Sequence, residues 1–298
     1  MPEGWYWDET LYLGSAPFYV RGRPPYAPSL ASELAERLAL DGHGRLLDVG
    51  CGPGVLSLAL ARFVAEAVGI DPDPGMLAEA QRRAAEAGVE NARWVRARGE
   101  DLPAGLGSFR LVTFGQSFHW MDRVRVAPAV FGMLQPGGAF VHVSDVKESR
   151  DGSRGLPHPE PPYAAIRDLV RRWLGPVPRA GRGLLRHGTP GDEEAVLAAA
   201  GFAGPERLVL PAGDLRVLGE DDVVAWVWSL SSSAPHLFGD RRGQFEADLR
   251  RVLRGASPTN TFAERPPATE VRVWRTPERV HPLRRRQPIG DPPLADTP

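Results

Sequence analysis

The stretch RLLDVGCGPG, residues 45–54, constrains the fold of this chain more than any other. A short apolar run ends abruptly in a turn with glycine at positions 50, 52 and 54. A strand followed by a glycine turn and a helix lets a ligand lie against bare backbone, close to the N–H groups that open the helix. The turn therefore predicts a ligand-binding loop, and a phosphate, a dinucleotide and a sulfonium nucleoside are its candidate ligands.

Short apolar runs alternate with helical segments from residue 45 to residue 146, as in a parallel sheet covered on both faces. The predicted strands are residues 45–49, 66–71, 92–97, 109–115 and 138–146. The predicted helices are residues 55–65, 74–88 and 122–134, the last one kinked or restarted at Pro128. This alternation favours an α/β fold.

The alternation breaks after residue 146, where residues 147–162 are rich in glycine and proline and predict a loop. The further predicted helices are residues 163–175, 192–202, 220–231 and 240–254, and the further strands are residues 206–215 and 269–275. We divide the chain into an aromatic N-terminal arm or flap (1–40), a Rossmann-like core (41–146), helical cap insertions with the last two core strands (147–276), and a disordered proline-rich tail (277–298).

The loop spacing is G-x-G-x-G, one residue tighter than the dinucleotide fingerprint G-x-G-x-x-G. Asp71 ends the second strand, where a carboxylate can accept both hydroxyl groups of a ribose, which nicotinamide and adenosyl ligands both carry. Glu100 and Asp101 follow the third strand, where an acceptor can take the amino group of an adenine. The segment GQSFHWMD after the fourth strand lacks the Tyr-x-x-x-Lys pair of a short-chain dehydrogenase. A nicotinamide oxidoreductase is therefore the weaker alternative.

Five motifs, in order, resemble those of the class I S-adenosylmethionine-dependent methyltransferases: LLDVGCGPG, VGIDPDPGML, GEDLP, QSFHWMD and LQPGGAF. The segments YVRGRPPY and FHW are similar to the trans-aconitate-methyltransferase-like branch, which acts on small molecules. The resemblance covers residues 18–146 and, more loosely, the final strand. It implies a Rossmann-like, doubly wound, seven-stranded and mostly parallel sheet whose last strand is antiparallel, with a helical cap formed by insertions.

The resemblance also implies that residues 41–146 bind S-adenosylmethionine, with S-adenosylhomocysteine as product. The methionine part would be lined by Gly50, Cys51, Gly52 and Gly54. Asp48 would orient the loop or the amino group of the cofactor. Gln116 would close the fourth strand against the cofactor.

The nucleoside part of the cofactor would lie against the next two strand ends. Asp71 would hold the ribose, with Pro72 and Met76 nearby, and Glu100 and Asp101 would face the adenine. The bare backbone of the glycine loop would then admit the aminocarboxypropyl arm of the cofactor.

His119 and Asp145 are the candidate general bases, because both follow strands at the edge where open α/β sheets bind ligands. A hydroxyl or an acidic C–H acceptor needs such a base, whereas a carboxylate acceptor needs none. The alternative for His119 is a packing pair with Trp120 that shapes the pocket floor. The alternative for Asp145 is a cap or an ion pair on the rim.

Candidate substrate or flap residues lie in the N-terminal arm and in the cap. The arm contains Tyr19 and Tyr26, and it either packs on the core or closes over the ligand. Arg23 has a guanidinium that suits a carboxylate of the cofactor or the substrate, or it is a surface arginine. Trp226 and Trp228 lie on opposite sides of one helix, so we expect one in the core and one lining a substrate cavity.

Composition limits the classes of partner that we expect for this chain. The formal net charge of −1 gives no reason to expect nucleic acid or an anionic membrane, and there is no apolar stretch of membrane-spanning length or signal peptide. Cys51 is the only cysteine, which fits a cytoplasmic protein. No metal-ligand constellation stands out, and the oligomeric state is not predicted.

We predict O-directed methyl transfer to a small-molecule acceptor. The arginine-rich composition with one lysine is typical of a GC-rich genome, and on that ground we expect a role in natural-product biosynthesis. The alternative is a methyltransferase-fold protein that binds the cofactor but catalyses a different reaction or serves as a binding module.

Overall fold

The computed structural model describes residue 8 and residues 10–146, 155–186, 188 and 191–278. Trp5, Tyr6 and Trp7 of the predicted arm lie outside the described residues. So do residues 147–154 of the predicted loop and residues 279–298 of the predicted tail.

Strands and helices alternate through the first half of the described chain. The strands are β1 (Arg45–Val49), β2 (Glu66–Asp71), β3 (Ala92–Arg96), β4 (Phe109–Gly115), β5 (Leu134–Asp145), β6 (Arg179–Ala180), β7 (Gly183–Leu184), β8 (Ala203–Leu210), β9 (Arg216–Gly219), β10 (Thr261–Glu264) and β11 (Thr269–Arg275). The α-helices are α1 (Ala16–Gly22), α2 (Leu30–Arg37), α3 (Val55–Leu60), α4 (Pro74–Glu86), α5 (Arg123–Met133), α6 (Tyr163–Leu174), α7 (Glu193–Ala199), α8 (Glu220–Trp228) and α9 (Arg242–Ala256).

The central sheet has seven strands in the order β3-β2-β1-β4-β5-β11-β8. Strands β1 to β5 pair in parallel, whereas β11 is antiparallel to both β5 and β8. The predicted fold class is therefore confirmed, including the antiparallel last strand. Two smaller antiparallel pairs, β9 with β10 and β6 with β7, lie outside this sheet.

Several predicted element bounds are wrong. Helix α5 continues through Pro128 and does not restart there, and Val126 and Val130 on either side of the proline are buried. Strand β5 begins at Leu134 rather than at residue 138. The predicted strand 206–215 corresponds to β8, which begins earlier, at Ala203, and ends at Leu210, before Pro211, which has no N–H to donate to a ladder.

The apolar core occupies both faces of the sheet and extends into the cap. Leu46 and Leu47, adjacent on β1, belong to separate clusters because successive strand side chains point to opposite faces. A third cluster lies among α6, α8 and α9, and its centre is formed by Trp228, Phe238 and Phe245. No helix among the described residues is both long and apolar enough to cross a membrane.

Helix α1 is docked tightly on helix α8 of the cap. A Cβ atom on Gly22 would lie 2.4 Å from the carbonyl carbon and oxygen of Ala225, so only glycine permits this approach. The contact holds the N-terminal tyrosines against the cap, at the same side as the carboxyl ends of the parallel strands.

The strand order reverses between β1 and β4, since the chain passes from β1 outward to β2 and β3 and then returns to β4. Ligands of open α/β sheets bind outside the carboxyl ends of the strands at such a switch point. The glycine loop follows β1 at this point. We therefore expect a functional site at the carboxyl edge of the sheet, beside this loop.

Candidate active site

The glycine loop connects β1 to α3 with its glycines in left-handed conformations. Gly50, Gly52 and Gly54 have φ values of 67°, 52° and 74°, respectively. The N–H groups of Gly50 and Cys51 both donate to the carbonyl of Ile70, at 2.9 Å each, which ties the loop to β2. The positive φ values explain why glycine is favoured at these three positions.

The three glycines face different surroundings. A Cβ on Gly50 would lie 2.7 Å from the Cβ of Ser117, so this glycine lets the loop approach the end of β4. A Cβ on Gly52 would meet no atom within 4 Å, and Gly52 lines the cavities described below. Gly52 therefore leaves open space where a ligand fits.

Gly54 does not do what the sequence predicts. Its Cβ would lie 2.6 Å from the indole of Trp94 and 3.2 Å from the Cβ of Ala80, and the described lining of the two cavities does not include it. The prediction that Gly54 lines the methionine part is corrected: this glycine lets α3 pack closely against β3 and α4.

Two cavities meet at the glycine loop. Their shared lining residues are Tyr19, Gly50, Gly52, Gly115 and Gln116. The first cavity, of about 80 Å³, extends over the ends of β2 and β3, and the second, of about 350 Å³, extends under the N-terminal arm. The second cavity is within the size range of small-molecule sites.

Asp71 lies in the wall of the first cavity, together with Pro72 and Met76. One carboxylate oxygen accepts the N–H of Gly52 and the other accepts the N–H of Asp73, both at 2.9 Å. Burial raises the pKa of Asp71 to about 7. Each oxygen keeps a second lone pair, so the carboxylate can still accept hydroxyl donors.

Glu100 lines the same cavity and is buried. One oxygen of Glu100 accepts the N–H of Asp122 at 2.9 Å, and its other oxygen, Oε2, is buried without a hydrogen bond to any described residue. The guanidinium of Arg98 lies 3.5 Å from Oε2, which offsets part of the charge but gives no hydrogen bond, and the amino group of a ligand would supply one.

Asp101 points elsewhere, contrary to the sequence prediction. Its side chain is exposed, and its carboxylate accepts the N–H of Arg98 at 2.9 Å, which closes the 3₁₀ turn Gly99–Asp101. The described residues that line the first cavity do not include Asp101. Of these two adjacent acidic residues, Glu100 lines the cavity and Asp101 closes the turn.

Asp48 is buried beneath the second cavity. Its carboxylate accepts the hydroxyl of Thr113 at 2.9 Å and both the hydroxyl and the N–H of Ser57, at 2.7 and 3.1 Å. Burial raises its pKa, against the effect of these hydrogen bonds. Asp48 thus joins β1 to β4 and to α3, which orients the glycine loop. Burial also raises the pKa of the neighbouring Cys51 thiol, so this cysteine stays protonated.

The N-terminal arm supplies one wall of the second cavity, with Tyr19, Arg23 and Tyr26 in its lining. Arg23 donates from Nη2 to the carbonyl of Ser229 at 2.9 Å, and its guanidinium lies 5.0 Å from the centre of the Tyr19 ring. Its Nε is buried and has no hydrogen bond to a described residue. Arg23 therefore has donor capacity left for an anion. Burial raises the pKa of Tyr26 well above its ordinary value.

The end of β4 has a strained backbone. Gln116 has a φ of 55°, which is uncommon outside glycine, and its N–H donates to the carbonyl of Val143 at 2.9 Å. Such conformations are found where the surrounding structure enforces them, often at functional sites. Gln116 lines both cavities.

The candidate bases are placed differently. Asp145, at the end of β5, lines the second cavity. Trp120 lines the first, and its ring centre lies 4.9 Å from that of His119. The described lining residues of the two cavities do not include His119.

Neither cap tryptophan lines these two cavities. Trp228 is fully buried in the cap core, with its ring 5.3 Å from those of Phe238 and Phe245. Trp226 packs on Tyr163, with 4.8 Å between ring centres. The two residues therefore face different surroundings: Trp228 lies in the cap core, whereas Trp226 is half-buried and lines a separate cavity of about 250 Å³ beside α6. Whether that cavity takes a substrate stays a prediction.

The lining residues that the sequence did not single out include three with polar side chains that could contact a ligand: Arg83, Ser117 and Arg216. Ser117 directly follows the strand end that Gln116 closes, so its position in the chain was a usable signal. Arg83 and Arg216 lie on α4 and β9, where nothing in the local pattern distinguishes them from surface arginines. In the part of the chain that the structure describes, no group of His, Cys, Asp and Glu could hold a metal ion.

Comparison with known proteins gives independent information. Residues 46–138 match a family described as "Methyltransferase domain". An uncharacterized methyltransferase of Mycobacterium tuberculosis is 34% identical over 146 residues, which are 49% of this chain and 56% of that protein. The chain thus spans just over half the length of the first curated relatives that it matches.

Two further relatives have names that specify an acceptor. A trans-aconitate 2-methyltransferase of Rhodococcus jostii is 28% identical over 227 residues, which are 74% of this chain and 78% of that protein. A trans-aconitate 2-methyltransferase of Methylobacterium radiotolerans is 35% identical over 116 residues, which are 37% of this chain and 41% of that protein.

Proposed function

We propose that this chain is a class I S-adenosylmethionine-dependent methyltransferase of the trans-aconitate-methyltransferase-like branch, and that it transfers the methyl group of that cofactor to an oxygen atom of a small-molecule acceptor. The observation that carries the proposal is the junction of two cavities at the bare backbone of Gly52. The smaller space beside Asp71 and Glu100 and the larger space under the N-terminal arm adjoin there, so a cofactor that spans the junction and an acceptor can meet, as a direct transfer requires.

The residues present fit the cofactor. Glu100 Oε2 and Arg23 Nε are buried polar atoms without a hydrogen bond to a described residue, on opposite sides of the open space at Gly52. Asp71 would hold the ribose hydroxyls, Glu100 the adenine amino group, and Arg23 the carboxylate of the methionine part. When bound, S-adenosylmethionine supplies a methyl group activated by the positive charge on sulfur.

The contribution of the chain is positioning and the exclusion of water. Gly50 and Gln116 bring the loop and the end of β4 together, and the Asp48 hydrogen bonds hold that arrangement. Tyr19 and Tyr26 cover the junction from the N-terminal side. Rigid placement of two reactants accounts for much of the acceleration in displacement reactions of this kind.

Oxygen as the methylated atom, and a carboxylate as the group that carries it, are supported by the names of the two trans-aconitate 2-methyltransferases and by the arginines that line the second cavity. A carboxylate is already a nucleophile, so the reaction needs no general base. A role in natural-product biosynthesis stays a prediction.

The test is to incubate the purified protein with methyl-labelled S-adenosylmethionine and trans-aconitate, and then to treat the product with mild alkali. A carboxyl methyl ester releases volatile label as methanol, whereas a methyl ether, amine or C-methyl product keeps it. Stable label in the product would contradict carboxylate methylation, and failure to bind S-adenosylmethionine would contradict the methyltransferase function itself.

We expect the variant His119→Gln to keep kcat within about fivefold of the original protein, because a residue that packs beside Trp120 without proton transfer contributes little to the chemical step. Steady-state kinetics with saturating S-adenosylmethionine measures this. A loss of about 100-fold in kcat with unchanged cofactor affinity would instead make His119 a general base.

A further inference from the structure

Arg216 lies in the wall of the second cavity, at the point where three cap segments meet. It begins β9, and its partner across the β9–β10 ladder is Glu264. Arg216 Nη1 donates to Glu264 Oε1 at 2.8 Å, and the hydroxyl of Tyr163, at the start of α6, donates to Glu264 Oε2. The carboxylate is thus held at both oxygens.

This arrangement fixes the guanidinium more firmly than a surface ion pair would. The side chains of Glu264 and Arg216 are only 8% and 20% exposed. Arg216 Nη2 also reaches the carbonyl of Arg21 on α1, at 3.4 Å. A guanidinium has five N–H donors, so these contacts leave several for a ligand in the cavity.

The second cavity is lined by more arginine side chains than the carboxylate of the cofactor requires. Arg23 is the arginine next to Tyr19 and Asp145, and the proposed function assigns it to the cofactor carboxylate. Arg83 donates to the carbonyl of Pro53, in the glycine loop. Arg216 is the cation contributed by the cap, on an element that the cofactor-binding core does not contain.

We infer that Arg216 is a specificity-determining residue, which binds an anionic group of the acceptor separate from the oxygen that receives the methyl group. The inference rests on the proposed function. The two groups are separate because a carboxylate bound bidentately by a guanidinium has its lone pairs engaged and is a poor nucleophile. Glu264 and Tyr163 are positioning residues for Arg216.

The experiment is calorimetric titration of the S-adenosylhomocysteine-loaded protein with trans-aconitate, succinate and phthalate, and with the neutral dimethyl esters of succinate and phthalate. The unaltered protein is expected to bind at least one of the acids and to bind its ester more weakly. Arg216→Gln is expected to weaken binding of that acid ~10- to 30-fold, the usual effect of losing a charge-assisted hydrogen bond.

Three comparisons separate recognition from folding. Arg216→Lys keeps the charge and is expected to restore part of the affinity. Arg251→Gln removes an exposed arginine on α9 and is expected to change nothing. Because Arg216→Gln leaves Glu264 buried without its cation, the double variant Arg216→Gln/Glu264→Gln repeats the measurement with that charge removed.

Kinetics give the readout that a purely structural role would not produce. With an acid that is methylated, Arg216→Gln is expected to raise KM ~10- to 30-fold and to change kcat less than about threefold. Tyr163→Phe is expected to raise KM about threefold with kcat unchanged, since it loosens Glu264 only.

The inference is overturned if every acid fails to bind, if the esters bind as well as the acids, or if Arg216→Gln binds the acids as the original protein does. In each of these cases the binding of S-adenosylhomocysteine is unaffected, so the proposed function is not contradicted. If the original protein does not bind S-adenosylhomocysteine, the proposed function itself is overturned.

Discussion

Replacing Gly52 with alanine is expected to weaken the binding of S-adenosylhomocysteine by ~100-fold while the protein stays folded, because the added methyl group occupies space that a ligand needs and no protein atom fills. The Cβ of that alanine would meet nothing within 4 Å in the protein. The backbone at φ 52° is strained for alanine, at a cost of about 1–2 kcal/mol.

Gly42→Ala is the matched control for this variant. Gly42 also has a positive φ, 83°, and its Cβ would also meet nothing within 4 Å, but the described lining of the two cavities does not include it. Gly42→Ala should lower the thermal unfolding temperature about as much as Gly52→Ala does, because the backbone strain is similar. Its ligand affinity, measured by calorimetry, should be unchanged. Equal affinity of Gly52→Ala and Gly42→Ala would show that the ligand lies elsewhere.

Cofactor affinity is expected to fall as the pH falls below about 7, by roughly tenfold per pH unit, because Asp71 must be ionised to accept two ribose hydroxyls. Burial has raised the pKa of this carboxyl from 3.8 to about 7 in the ligand-free protein. Hydroxyl donors stabilise the carboxylate and lower its pKa, so binding at acidic pH releases a proton.

Calorimetric titration with S-adenosylhomocysteine between about pH 5.5 and pH 8, in buffers of different ionisation enthalpy, measures both the affinity and the released proton. Affinity that is constant over this range would contradict the assignment of Asp71 to the ribose.

Asp71→Asn is expected to weaken binding ~100-fold at pH 8 and to remove most of the pH dependence, since two hydrogen bonds to a charged acceptor are lost. The control is Asp101→Asn, which replaces an exposed carboxylate whose only assigned contact is with the N–H of Arg98. Its affinity should stay within about threefold of the original at every pH, because the adenine-facing role is assigned to Glu100.

The local pattern was sufficient to predict the framework of the site. Asp71 ends an apolar strand, and the glycines follow another, so parallel pairing alone brings them to one edge of a sheet. The antiparallel last strand was expected from the family resemblance and is present as β11.

The direction of individual side chains was not predictable in this way. Glu100 and Asp101 are adjacent and chemically alike. Only the tertiary contact with Asp122, the N-cap of α5, whose N–H donates to Glu100, distinguishes the side chain that turns inward. Gly54 and Gly52 differ in their surroundings. A Cβ on Gly54 would clash with the indole of Trp94 on β3, whereas a Cβ on Gly52 would point into open space.

The sequence by itself determined the parallel core, the glycine loop and the carboxylate that ends β2, because these depend on contacts within short stretches and on regular pairing of neighbouring strands. Only the tertiary structure decided that Trp228 belongs to the cap core and that Arg216 faces the second cavity. Arg216 depends on Glu264 and Tyr163, which are 48 and 53 residues away along the chain (264 − 216 and 216 − 163). Contacts over such separations arise from the packing of whole elements, and local patterns of hydrophobicity and charge carry no information about them.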